Sequence, residues 1–228
     1  MKRAVGIFIV ALALVSPALA EMVEVAPGVR VTKKTFAAPV NEQPFYSFIE
    51  KTTEMRAADD KFVQAVTGQA TREAAANDAG MRGWRAIAAG KLDEAGRRFN
   101  QAFLLDPQLS GIYHGWAIVV YERFKDADFA NELFNVAKKQ RNPGENLNAD
   151  HGRFLLMTKR PGEALPVLEQ AVRDAPKFGD AWSNLAFARL LTGDNAGACV
   201  AAATASGLAP SGNVQSDLQT LRMQAKCN

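Results

Sequence analysis

The sequence lacks the short signatures that mark most catalytic sites. It has no Gly-rich phosphate loop, no G-x-S-x-G turn and no H-E-x-x-H helix. Only two histidines are present, His114 and His151, and each stands directly before a glycine. With no convergent polar set, the chain reads as a non-enzyme that calls for no metal and no cofactor. Clustered basic charge is also missing. No run of Lys and Arg offers the basic face that counterion-release binding to nucleic acid requires. Beyond the first residues there is no long apolar run, so the body of the protein is not expected to be embedded in a membrane.

The amino terminus is the exception. Lys2 and Arg3 precede an apolar run from Ala4 to Val15, shorter than the roughly 20 residues a membrane helix needs. Ala18-Leu19-Ala20 then places small residues before Glu21, the layout of a cleavable export signal. No cysteine follows the cleavage point, so a lipoprotein anchor has no attachment site; an uncleaved membrane anchor is the alternative. The expectation is a protein exported through a signal peptide cleaved after Ala20, to a bacterial periplasm or beyond. Removing Lys2 and Arg3 from the 27 basic residues leaves 25, against 24 acidic ones, so the mature chain is nearly neutral. Its two cysteines, Cys199 and Cys227, read most simply as one disulfide in an oxidising compartment, closing a loop between neighbouring C-terminal helices. Two free thiols or a bridge between chains are the competing readings.

Against this background one pattern stands out. Small residues recur at Ala95, Ala130, Ala164 and Ala198, spaced 35, 34 and 34 apart. Four residues after each come Phe99, Phe134, Leu168 and Ala202, and three further on Ala102, Ala137, Ala171 and Ala205. Each unit closes near a proline: Pro107, Pro143, Pro176 and Pro210. Offsets of four and three put the small, large and small residues on one helical face. The small ones let two helices approach and the large one fills the groove between them; a proline beyond the last turn cannot continue the helix. Ahead of each such helix lies another apolar-periodic stretch. The two are joined at Gly90-Lys91, Lys125-Asp126, Arg160-Pro161-Gly162 and Gly193-Asp194. Each unit is therefore expected to be a helical hairpin, with Asp126, Asn146 and Asp194 as N-caps and Gly207 as the residue after the last repeat helix.

These positions resemble the tetratricopeptide repeat. The fourth unit carries Trp182, Leu185, Gly193, Ala198, Ala205 and Pro210, but has Ala186 where glycine is usual and Ala202 where an aromatic is usual. The first carries Gly83, Gly90, Ala95, Phe99, Ala102 and Pro107, and the third Gly152, Ala164, Ala171 and Pro176. The second leaves two registers open. Without a gap, Tyr121 falls on the usual aromatic position and Ile118 on the glycine; sliding the helix to align Gly115 needs a turn three residues longer.

The resemblance implies an all-α solenoid of about four hairpins over residues 76–212. Flanking it, 21–52 reads as extended or loosely ordered, 53–75 as an N-terminal capping helix region and 213–228 as a C-terminal capping helix. Met55, Ala58, Phe62 and Val66 give the first cap one apolar face, and a further helix near Thr71 would make it half of an extra hairpin.

In this family the first helices of the hairpins line a concave groove that takes a peptide or a helix. Carried over by position, the groove residues are Trp84, Ile87, Arg153, Leu156, Met157, Phe187, Leu190 and Leu191. Trp116 joins them in the shifted register and is a core residue in the gap-free one. Aromatic anchors and a lone arginine among aliphatics suit an apolar segment carrying a carboxylate. The implied function is a periplasmic adaptor that binds a peptide or protein segment of the cell envelope. The alternative is a structural subunit of an envelope assembly that uses its convex face or its ends. In that case its own N-terminal aromatics Phe36, Phe45, Tyr46 and Phe48, with Pro39, fill the groove in cis.

Overall fold

The computed structural model describes residues 21–208 and 212–227; the expected export signal and Pro210 lie outside them. An antiparallel hairpin of β1 (Met22–Ala26) and β2 (Val29–Thr32) leads into two short 3-10 turns, Val40–Glu42 and Pro44–Phe48. Ten helices follow among the described residues: α1 (Thr53–Thr67), α2 (Arg72–Ala88), α3 (Leu92–Leu105), α4 (Ser110–Val119), α5 (Ala127–Ala137), α6 (Leu147–Met157), α7 (Pro161–Asp174), α8 (Gly179–Leu191), α9 (Asn195–Gly207) and α10 (Gly212–Gln224). A π-helical turn, Val120–Phe124, continues α4.

Helices α2/α3, α4/α5, α6/α7 and α8/α9 pair as hairpins and stack in order. The repeated alanines at both ends of each second helix, from Ala95 to Ala205, are wholly buried, as are Phe99, Phe134, Leu168 and Ala202 between them. The all-α solenoid implied by the tetratricopeptide resemblance is the fold observed.

Helix starts are fixed by side chains that accept otherwise unpaired backbone donors. Thr71 Oγ1 accepts from Ala74 N, Asp126 Oδ1 from Phe129 N and Asp194 Oδ1 from Gly197 N. Asn146 precedes α6 without such a bond, its amide donating to Asp150 instead. Gly207 still belongs to α9. The helix near Thr71 is no extra hairpin: α2 is one continuous helix, the first of unit one, and α1 stands alone against the N-terminal end.

The turn inside each hairpin pivots on one residue in the left-handed region: Gly90, Lys125, Lys159 and Gly193, spaced 35, 34 and 34 apart. The second unit therefore has no lengthened turn. Its register is adjusted within the helix, since the π turn takes in one residue more than an α turn. Upstream of it the fully buried small residue is Ala117, while Ile118 is half-exposed. Gly115 serves another purpose: a Cβ there would meet the Phe99 ring at 2.1 Å, so it lets α4 close on the preceding unit.

The N-terminal segment is ordered and folded back rather than loose, and it crosses the second helices. Asn100 Nδ2 on α3 donates to the carbonyls of Asn41 and Gln43 at 3.0 and 2.8 Å. Thr32 N donates to Glu132 on α5 at 2.6 Å. Phe45 is buried against Phe103 and Tyr113, their ring centroids 5.1 and 5.7 Å from its own. At the other end a disulfide joins Cys199 on α9 to Cys227 just past α10, whose Leu218 and Leu221 are buried. Among the described residues no helix is long and apolar enough to cross a membrane.

A candidate peptide groove on the first-helix face

Stacked first helices usually touch, but α4 and α6 are hardly in contact while α2/α4 and α6/α8 are. The connection through residues 138–146 is longer than the other inter-unit loops, and it sets the third hairpin away from the second. Side chains bridge the gap. Tyr121 meets Phe154 edge-on at 5.1 Å, and His114 Nε2 lies 3.1 Å from Asp150 Oδ2. Above them opens a cavity of about 390 Å³ lined by Ile87, Ile118, Tyr121, Glu122, Asp150, Arg153, Phe154 and Met157 among others.

Its floor is apolar and its rim charged. Met157 is half-exposed and Arg153 exposed, and Arg153 takes part in no ion pair or side-chain hydrogen bond among the described residues. The rim acids are already engaged: Asp150 accepts from Asn146 at 2.9 Å, and Glu122 is 3.7 Å from Lys125. Arg153 is thus the one groove charge left for a ligand, among the described residues.

Beneath the floor, His151 is buried, its ring stacked 4.7 Å from Phe134 and its Nε2 2.8 Å from Asn131 Oδ1. Loss of solvation, with Lys138, Arg160 and His114 adding unfavourable charge, pushes its pKa down to about 3. It is a neutral packing residue. No group of three or more His, Cys, Asp or Glu able to hold a metal occurs among the described residues.

The structure brings together some of the expected groove residues and separates others. Ile87, Arg153 and Met157 converge on the one cavity. Trp84 is half-buried, edge-on to His114 at 4.6 Å, and lines a neighbouring cavity of about 160 Å³ with Asn77, Met81 and Asn142. Leu156, Phe187 and Leu190 are half-buried against the core, and Leu191 is 59 % exposed on α8; none lines the cavity.

Trp116 does not belong to the groove. It is wholly buried, its Cη2 packed so close to α3 that a Cβ on Gly96 would come within 2.9 Å of it. The shifted register that exposed it fails because the adjustment lies in the π turn. The same turn brings Ile118, which the gap-free register sets on the glycine position, to the groove. It stands 34 residues after Trp84 and 35 before Arg153, so it is their counterpart in unit two once one residue is absorbed.

The N-terminal aromatics do not fill this groove. Phe36 packs on Phe124 and Phe129, and Phe45 on Phe103 and Tyr113; neither they nor Tyr46 and Phe48 line the cavity, so the N-terminal segment, which straps the second helices, does not occupy it.

Solved structures share the fold. PilF of Pseudomonas aeruginosa superposes with a TM-score of 0.61 at 20% identity, over 68% of this chain and 71% of that one. MamA of Desulfovibrio magneticus gives 0.54 at 22%, over 66% and 85%. YrrB, described as a tetratricopeptide-repeat protein with an unusual peptide-binding site, gives 0.54 at 18%, over 74% and 85%. The chain has the tetratricopeptide-repeat fold. At these identities the likeness is one of architecture. No family profile and no curated protein matches the sequence. The stacking of first helices is interrupted at the junction of units two and three, and that is where the cavity opens.

Proposed function

We propose that this tetratricopeptide-repeat protein is a protein-interaction module that binds a segment of another protein in the groove between α2, α4 and α6. The observation that carries the reading is the unpaired Arg153 guanidinium beside an apolar floor of Ile87, Ile118, Tyr121 and Met157. Desolvated apolar pockets with a few placed polar groups are where binding energy concentrates. A guanidinium takes a carboxylate through two parallel hydrogen bonds. The ligand is accordingly an apolar segment bearing an acidic side chain or a terminal carboxylate. The peptide-binding site attributed to YrrB, a protein of the same fold, supports this class of ligand. The export signal read at residues 1–20 and the Cys199–Cys227 bridge support a periplasmic setting and an envelope partner.

Panning a random peptide library against the mature protein tests the proposal. The expected outcome is enrichment of peptides pairing an acidic group with bulky apolar residues, and loss of their binding in Arg153→Glu and Ile87→Glu variants of unchanged helicity. Selected peptides that bind both variants as well as wild type would remove the groove from consideration. The structural-subunit alternative would then be pursued on the convex face and the array ends.

A further inference from the structure

The π turn Val120–Phe124 separates two environments, and its side chains divide between them. Tyr121 and Glu122 face the groove. Arg123 and Phe124 are held from the opposite side by the N-terminal strap. Arg123 Nη2 lies 2.6 Å from Glu42 Oε2, while the other oxygen of Glu42 is 2.5 Å from Arg97 Nη1 on α3. Phe36 stacks on Phe124 with centroids 4.1 Å apart and rings within 6° of parallel. Glu42 is nearly buried, its side chain 12% exposed. The strap also lies close on α3, where a Cβ on Gly96 would come within 2.9 Å of the Glu42 carbonyl oxygen.

A π turn has poorer packing and hydrogen-bond geometry than the α-helix it interrupts, so it persists where surrounding contacts fix it. Relaxing it to α-helix shifts the helix by one residue, which turns Tyr121 and Glu122 by about 100° around the helix axis. We infer that Glu42 and Phe36 are positioning residues for the groove: the N-terminal strap holds the π turn from behind and thereby keeps Tyr121 and Glu122 in ligand-binding geometry. This rests on the groove reading above and extends it, making groove affinity dependent on a segment that never touches the ligand. Two arginines share one carboxylate, but Arg97 also pairs with Asp93, so losing Glu42 takes from Arg123 its carboxylate partner and loosens the turn through lost charge-assisted hydrogen bonds.

The test uses the full mature chain with Glu42→Gln and, separately, Phe36→Leu. Two readouts are needed: amide hydrogen exchange resolved at Val120–Lys125, and titration with anilinonaphthalene sulfonate, an apolar anion suited to Arg153 and its floor. Arg153→Gln serves as the groove control and weakens the dye about fivefold if the groove takes it. Both strap variants are expected to raise exchange at the turn about tenfold over the flanking helices and to lower Arg153-dependent dye affinity several-fold. Exchange that rises evenly along the chain assigns the strap to general stability and overturns the inference. So does a loosened turn with unchanged dye affinity, or unchanged exchange. If Arg153→Gln leaves dye binding as it was, the groove reading itself fails, and the strap's hold on the turn is judged by exchange alone.

Discussion

A Cβ placed on Gly152 would stand 2.3 Å from Cγ of Leu168, both residues lying inside the third hairpin. The first hairpin repeats the relationship with Gly83 and Phe99, at 2.7 Å to the ring. In the fourth hairpin the same positions are Ala186 and Ala202, both wholly buried. The small residue on one helix and the large one on the other are therefore two halves of one volume. Gly152→Ala alone is expected to overpack the hairpin and cost about 2 kcal/mol. Leu168→Ala alone leaves a cavity and costs about 3 kcal/mol. Together they rebuild the pair of unit four, so the double variant loses clearly less than the sum. Denaturant unfolding of the four proteins gives the coupling; strict additivity would show that the two sites do not share a volume.

That complementarity marks how far the sequence could be read. Ala186 and Ala202 look like two independent departures from the repeat when taken singly, and compensate when taken together. The small–large–small spacing and the turns after Gly90 and Gly193 were legible because they are set within one hairpin by period and backbone conformation. Three features were not. The π turn is a local change of helical pitch with no residue signature; it places Trp116 in the core, one of the two registers left open, and brings Ile118 from the glycine position to the groove. The long connection before α6 opens the cavity, and only packing reveals it. The strap looked loose because its contacts, such as Asn100 to the Asn41 and Gln43 carbonyls, span more than fifty residues of chain.

Lys159 takes the left-handed turn position in unit three at φ 60°, where units one and four have glycine. Its side chain is exposed and in no ion pair among the described residues. An L-residue pays about 1–2 kcal/mol for this conformation, partly offset in a glycine variant by the greater freedom of the unfolded chain. Lys159→Gly should thus stabilise by up to about 1 kcal/mol. Lys125→Gly, at φ 58°, should gain less because it gives up the Glu122 pairing. A midpoint that falls in Lys159→Gly, measured by urea unfolding, would contradict the assignment of this turn.

The Cys199–Cys227 bridge ties the capping helix α10 to α9 across 28 residues. Leu218 and Leu221 cover the last hairpin, so the bridge also protects the apolar end of the array. Reduction, or Cys199→Ser with Cys227→Ser, is expected to lower stability by about 3 kcal/mol in the loop-entropy picture. The first loss of hydrogen-exchange protection should appear in α10. Reduction that destabilises unit one as early as α10 would mean that the array does not unfold from its C-terminal end.

Acid should destabilise the fold through His151 before it acts on the carboxylates. Burial holds this imidazole near pKa 3 in the folded protein, against the usual 6.5. Between those values the unfolded chain binds a proton that the folded chain refuses. Stability is therefore complete above pH 6.5 and falls as pH drops, by roughly 1 kcal/mol per unit. Asp93 and Glu163 are held below their ordinary values by Arg97 and Arg160, so their share is lost only as pH falls further, into the carboxylate range. The interval from pH 6.5 down to about 5 lies above the carboxylate range, and comparison with a His151 variant separates this histidine from His114. His151→Leu keeps the ring's place against Phe134 apolar and removes the proton site. Its stability should fall less steeply across that interval than that of wild type, as followed by urea midpoints at each pH. Equal slopes in the two proteins would mean that His151 accepts a proton without leaving its site beside Phe134, and that the groove floor is more open to water than its burial implies.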